Sequence, residues 1–195
     1  MKTLYVIRHG KASLDGSDRE RGLTEDGHKH AEQITDILKN LSPKINTIVS
    51  SPLNRAILTI KPLSEHLNLE INVIEDLKEK ITGETSGQNL NDLKQKMWSD
   101  FDTKLPEGES SNEASTRAIS ALNSIVDQLE DGQTAAVQCH GTLIGLIMHH
   151  FDNSFGFEEW KNMTMPDIYK ITYENNNASV EHIGCDSIET FKIGN

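Results

Sequence analysis

The stretch Leu4-Tyr5-Val6-Ile7-Arg8-His9-Gly10 decides how this chain is read. Four apolar residues in a row, without the alternation of a half-exposed strand, suit a strand buried on both faces of a parallel sheet. The run ends abruptly in arginine, histidine and glycine. In open α/β sheets, ligands bind beyond the carboxyl ends of the strands. Arg8 and His9 therefore fall where a site is expected. The same design recurs downstream, where Thr134-Ala135-Ala136-Val137-Gln138 runs into Cys139-His140-Gly141.

Strand and helix patterns alternate around these two segments. After a polar Gly/Asp-rich loop, residues 13–22, Thr24 caps a helix with Glu25 and Asp26 in its first turn, where the helix dipole favours acids. Its apolar stripe is Ala31, Ile34, Ile37, Leu38 and Leu41. Residues 45–50 form a second strand. Ser51-Pro52 opens the next helix, with Ser51 as cap and Pro52 at the first helical position; Pro62 predicts a kink or break within it. Ile71-Asn72-Val73-Ile74 is a third, short strand. Residues 111–129 form a long helix buried through Ala118, Ala121, Leu122, Ile125, Val126 and Leu129, and residues 142–151 another. Strands at 168–173 and 179–182, joined by Asn175-Asn176-Asn177, make an antiparallel edge hairpin. The order predicts an α/β fold, a three-layer α/β/α sandwich whose sheet is mostly parallel with an antiparallel edge strand. It is one domain over residues 1–195, with a small insertion or lid at about 80–108 that carries a short helix around 90–98.

The chain has 195 residues, 35% hydrophobic and 25% charged, a globular profile. With 19 Lys+Arg against 30 Asp+Glu, the net charge is −11, which argues against nucleic acid and against docking on an anionic membrane. An anionic substrate would need a local basic pocket to overcome that repulsion. No apolar run is long enough to span a bilayer. The N-terminus turns charged too soon for a signal peptide, and the two cysteines, Cys139 and Cys185, suggest neither a disulfide framework nor a zinc site. The expected setting is the cytoplasm.

Arg55, in the first turn after the second strand, adds a second guanidinium at a strand's carboxyl end, and the helix N-terminus offers free N–H groups. Two arginines, two histidines and a helix N-terminus in one crevice make an anion cage. Phosphate is the anion that suits it, since arginine matches phosphate oxygens in a bidentate fork. Other conspicuous residues get plainer readings. His149-His150 are surface or helix-end residues, since adjacent helical positions do not share a face. His28 and His30 lie on a solvated face, Cys139 is packing, and Trp98 and Phe101 either line a pocket or pack the lid.

Taken together, the motifs resemble those of the histidine phosphatase superfamily, with its phosphoglycerate mutase-like fold. Arg8-His9-Gly10 looks like its signature. Leu23-Thr24-Glu25-Asp26-Gly27 with Ala31 is similar to its first-helix segment. Ser50-Ser51-Pro52-Leu53-Asn54-Arg55-Ala56 with Thr59 is similar to its second-arginine motif. Leu77-Lys78-Glu79 with Gly83 resembles the segment that supplies its acid, and Pro106-Glu107-Gly108-Glu109-Ser110 and residues 137–141 resemble later motifs. The motifs stand in family order over nearly the whole chain.

The resemblance implies a role for each residue. His9 is the nucleophile that forms a phosphohistidine. Arg8, Arg55, His140 and Gly141 bind the phosphate. Glu79 is the general acid to the leaving oxygen. No metal and no cofactor are needed, because the cationic side chains stabilise the transferring group. Nearby arginines favour the neutral imidazole a nucleophile requires, and a phosphate dianion beside Glu79 favours its protonated form.

Three departures from the mutases stand out. Lys11-Ala12-Ser13 follows Gly10 where an acidic residue and a serine are usual. Lys94, Lys96 and Lys104, but no arginine, lie between Glu79 and Pro106, and Cys139 replaces a small residue. The expectation is therefore a phosphomonoester hydrolase of the histidine acid/alkaline type. Its substrate is a small molecule or, alternatively, a phosphoprotein, and it works as a monomer or homodimer. Its rivals are a cofactor-dependent phosphoglycerate mutase and a non-catalytic phosphate-binding regulatory module.

Overall fold

The computed structural model describes residues 1–41, 43–175 and 177–185. β1 (Lys2–Arg8) lies inside a six-stranded sheet of order β3-β2-β4-β1-β5-β6. It pairs in parallel with β4 (Thr134–Cys139). β4 pairs in parallel with β2 (Thr47–Ser50), and β2 with β3 (Ile71–Val73). On its other side β1 pairs antiparallel with β5 (Asp167–Glu174), which carries β6 (Asn177–His182) as an exposed edge. The antiparallel part is thus two strands, one of them internal. Asn176, at the hairpin tip, lies outside the described residues.

β1 sends side chains to both faces, and both are buried. Leu4 and Val6 join a core with α4 (Ser111–Gln128), α5 (Gly141–Phe151) and Trp160 of α6 (Phe157–Asn162). Tyr5 and Ile7 join a second core with α1 (Glu25–Leu38) and α2 (Asn54–Leu67). That two-sided burial is why β1 is a continuous apolar run, and it defines the three layers. Thr24 caps α1 as expected, its Oγ1 accepting from Gly27 N at 3.1 Å.

Three local expectations are corrected. α2 begins at Asn54 with no side-chain cap; the Ser51 hydroxyl is engaged elsewhere, accepting from Leu53 N at 3.2 Å and contacting His140. Pro62 does not break α2, which runs unbroken to Leu67. Ile60 and Leu63 beside it are fully buried, and two such side chains outweigh the ~3 kcal/mol a mid-helix proline costs. His30 is buried, not solvated, and its Nδ1 accepts from Lys11 N at 3.4 Å; His28 is exposed.

After β3 comes a 3-10 turn, Glu75–Leu77. α3 (Leu90–Ser99) is capped by Asn89, and Leu93 and Met97 face inward. Trp98 packs between Phe101, His149 and Trp160. α6, for which the sequence carried no readable signal, supplies Trp160.

Candidate active site

His9, Ser51 and His140 each follow a strand, β1, β2 and β4, and backbone pairing brings those ends together. His9 N donates to Cys139 O at 3.3 Å and Ser51 N to Gln138 O at 2.9 Å. The rings of His9 and His140 lie edge to face with centroids 5.1 Å apart.

The tautomer of His9 follows from its partners. Nδ1 lies 2.7 Å from Gly10 O, a carbonyl that can only accept, so Nδ1 carries the proton. Nε2 therefore presents a lone pair, and Arg55 Nε donates to it at 3.3 Å. Burial, then the charges of Arg8, Arg55 and Arg21, pulls the imidazole down to about 3, against the bond to Gly10. His9 is neutral at pH 7. Burial also holds the fully buried His140 well below its ordinary value, with His9 and Arg55 adding to the effect. Its Nε2 contacts Ser51 Oγ at 2.7 Å. The serine hydroxyl has one proton to place, and His140 Nε2 can accept it. Nδ1 then carries the ring proton, and this buried atom has no partner among the described residues.

The two arginines are held differently. Arg8 is buried and donates through Nη1 to Thr164 O at 2.8 Å and Met163 O at 3.3 Å, while its Nε has no partner among the described residues. Burial pulls it down to about 10, opposed by Glu79 and Asp167, so it stays charged near neutrality. Gly141 makes room for it: a Cβ there would stand 2.9 Å from Arg8 Nε and 3.0 Å from Cζ and Nη2. Arg55 Nη1 donates to Asp18 O at 2.7 Å and pairs with Asp18 Oδ1 at 3.2 Å. Arg21 also pairs with Asp18.

Glu79 lies across the N-terminus of α5. Its Oε1 accepts from Lys80 N at 2.8 Å and Leu143 N at 3.0 Å, and its Oε2 from Thr142 N at 3.0 Å. A carboxylate offers about four acceptor sites. Oε2 alone takes a single donor and keeps a lone pair for a proton. The candidate site residues Arg8, His9, Arg55, Glu79, His140 and Gly141 thus lie together at the carboxyl ends of the strands.

Several participants carried no sequence signal of their own. Ser51 before Pro52 reads as a helix cap. Asp18 and Arg21 sit in a polar loop whose composition says only that it is a loop. Asp167, fully buried at the start of β5, accepts from Thr164 N at 3.1 Å and His182 Nε2 at 2.7 Å, bracing the segment that holds Arg8. Lys11 turns away, its Nζ on Asp26 at 3.2 Å. Burial raises the Cys139 thiol well above its ordinary value, consistent with packing. His149 Nδ1 is tied to Phe155 O at 2.8 Å. Among the described residues no cluster of His, Cys, Asp and Glu could hold a metal ion, and no helix is long and apolar enough to cross a membrane.

A fold of this kind with two strand-end histidines between arginines defines a class. The family model for the histidine phosphatase superfamily, branch 1, matches residues 4–186, and the chain belongs to that family. Among its relatives is a 2,3-bisphosphoglycerate-dependent phosphoglycerate mutase of Brucella anthropi, 26% identical over 92% of this chain and 97% of the relative. Among solved structures, YhfR of Bacillus stearothermophilus matches with a TM-score of 0.78 and 24% identity over 94% of this chain and 97% of that one. An Entamoeba histolytica phosphoserine phosphatase mutant in complex with phosphoserine matches with a TM-score of 0.78 and 20% identity, over 95% and 98%. These structures share the fold.

Proposed function

We propose that this chain is a metal-independent phosphomonoester hydrolase that works through a phosphohistidine on His9. The carrying observation is the neutral His9 ring, its proton on Nδ1 toward Gly10 O and its Nε2 lone pair beside Arg55. In the first step Nε2 attacks phosphorus and the bond to the leaving oxygen breaks. Glu79 Oε2 gives that oxygen its proton. Arg8, Arg55 and the Nδ1–H of His140 bind the equatorial oxygens, where charge is spread in a loose transition state. In the second step the Glu79 carboxylate takes a proton from water as its oxygen attacks phosphorus. The P–N bond breaks, and Nε2 regains its lone pair as phosphate leaves.

The mutase reading is favoured by the name that relatives of 26–28% identity carry. Against it, Lys104 is paired with Glu113 at 2.7 Å, and no arginine lies between Glu79 and Pro106.

The test is hydrolysis of p-nitrophenyl phosphate by wild type and His9→Ala, each with and without EDTA. Turnover by wild type alone, indifferent to EDTA, is expected. Turnover by His9→Ala, or a chelator loss restored by a divalent cation, would overturn the reading. Interconversion of 3- and 2-phosphoglycerate outpacing hydrolysis would make the chain a mutase.

A further inference from the structure

A cavity of about 350 Å³ opens beside Glu79, bounded by Lys80, Leu93, Met97, Trp98, Thr142 and Trp160 among others. Its volume is that of a small-molecule pocket, and its walls are mostly apolar, as such pockets are. Thr142 ties it to the chemistry, since the same residue donates its N–H to Glu79 Oε2 at 3.0 Å. Lys80, also on its wall, donates its own N–H to Glu79 Oε1 at 2.8 Å, so two lining residues hold the Glu79 carboxylate.

The two indoles are packed against α5 with centroids 5.9 Å apart. Gly145 permits this approach, because a Cβ there would stand 2.7 Å from Trp160 Cδ1 and 3.1 Å from Trp98 Cζ2. Into this apolar space the fold puts a charge. Lys80 is only 6% exposed, and its Nζ donates to Met97 Sδ at 3.5 Å, a weak acceptor. It forms no ion pair among the described residues. The indole N–H of Trp160 is buried too and has no partner among the described residues. Burial pulls the Lys80 ammonium below its ordinary value, with Glu109 and Glu79 opposing. A buried ammonium and a buried indole N–H, both lacking a strong acceptor, are costly unless a ligand supplies one. Lys94, exposed and with its Nζ 5.8 Å from the Trp160 ring centroid, adds positive charge to the cavity's lining.

We propose that this cavity receives the leaving group, and that the substrate is a phosphomonoester of an alcohol with an apolar body and a second, terminal anion: the body covers Trp98 and Trp160, and the anion meets Lys80. The inference rests on the hydrolase reading and names its substrate class. It also separates this chain from enzymes of short polar phosphoesters. The leaving groups of phosphoserine and 3-phosphoglycerate carry an anion but no apolar body to cover the indoles.

The experiment compares kcat/KM for alkyl phosphates of increasing chain length with their ω-carboxylated counterparts, hexyl phosphate and phosphooxyhexanoate among them, beside phosphoserine and 3-phosphoglycerate. The carboxylate is expected to raise kcat/KM on the order of 30-fold or more at the chain length that reaches Lys80, and little at others. Lys80→Met collapses that ratio toward one, and Trp160→Phe, which keeps a ring and loses the N–H, reduces it. Equal rates with and without the carboxylate at every length overturn the proposal. So do a ratio untouched by Lys80→Met and a preference for the short polar esters. Calorimetric binding of the matching phosphonates separates the two levels. Carboxylate-dependent binding that Lys80→Met abolishes, with no ester turned over, sinks the hydrolase reading and keeps the cavity's ligand. Turnover of p-nitrophenyl phosphate with no carboxylate preference in rate or binding does the reverse.

Discussion

Replacing Glu79 by Gln tests the proton that the mechanism gives to the leaving group. The substitution keeps the shape and removes the proton from Oε2. For an alkyl phosphate, whose alkoxide leaves poorly, losing a general acid costs 10²–10⁴-fold in kcat/KM, or about 3–5 kcal/mol. For p-nitrophenyl phosphate the phenolate leaves without help, and the loss in kcat/KM should be tenfold or less, while kcat on both substrates also falls through the base role of Glu79 in the second step. The structure adds a stability cost. Glu79 accepts three backbone N–H groups on its two oxygens. However the Gln amide turns, its NH₂ faces at least one of those donors and orphans it, at about 1–3 kcal/mol. Tm should therefore fall by several degrees, and rates should be compared well below the variant's midpoint. The measurement is kcat/KM, which stops at phosphoenzyme formation, on hexyl phosphate and on p-nitrophenyl phosphate for both proteins. Equal proportional losses on the two substrates would refute the acid role and leave Glu79 as a structural brace for the start of α5.

Three further outcomes are expected. Because native His9 is pulled to about 3 against 6.5 unfolded, it contributes nothing above pH 6.5. As pH falls below 6.5 the unfolded chain takes a proton that the native ring refuses, so stability drops, by up to about 5 kcal/mol on reaching pH 3. Urea unfolding of His9→Gln should lack this acid-side loss, and identical pH slopes in the two proteins would contradict the buried neutral ring. Gly141→Ala drives a Cβ to 2.9–3.0 Å of the Arg8 guanidinium. It should weaken competitive inhibition by inorganic phosphate on the order of tenfold, and an unchanged inhibition constant would show that Arg8 does not bind the anion. Ser51→Ala leaves the fully buried His140 Nε2 without its partner, costing about 1–3 kcal/mol. Imidazole ¹⁵N shifts should move from one tautomer to a mixture, and a single unchanged tautomer would mean that Ser51 does not set it.

What the sequence discloses here depends on what packing demands of it. β1 and β4 are buried on both faces, so their middles, residues 4–7 and 135–137, are apolar without interruption, and the site residues that follow stand out by contrast. The helices announced themselves through stripes at helical spacing. The break expected at Pro62 is absent because Ile60 and Leu63 are core, and tertiary packing outweighs a local preference. Ser51-Pro52 misled because a serine before a proline has one common local use, while this hydroxyl serves a histidine 89 positions away. Asp18, Arg21 and Asp167 act through the shape of a loop and the start of a strand, which composition does not encode. The start of a surface helix suggests a solvated face for His30, yet it faces the chain beside Gly10.

Under the proposed mechanism, the two arginines divide the handling of the anion between them. Arg8 is fixed: it is buried, donates to two backbone carbonyls, and is closed over by Gly141. Those partners have no reason to move when a phosphate arrives, so its remaining N–H groups wait in place. Arg55 is exchangeable. Its carboxylate partner, Asp18, is 61% exposed, and ion pairs to exposed carboxylates contribute about 0–1 kcal/mol. A phosphoryl dianion at the same guanidinium forms a stronger, less solvated pair. It also takes over the Nε–H that Arg55 now directs at the His9 lone pair. Substrate binding thereby uncovers the nucleophile, and loss of phosphate covers it again. A net charge of −11 is compatible with an anionic substrate on these terms: Asp18 pairs with Arg55 from an exposed position and is displaced at little cost by a better anion.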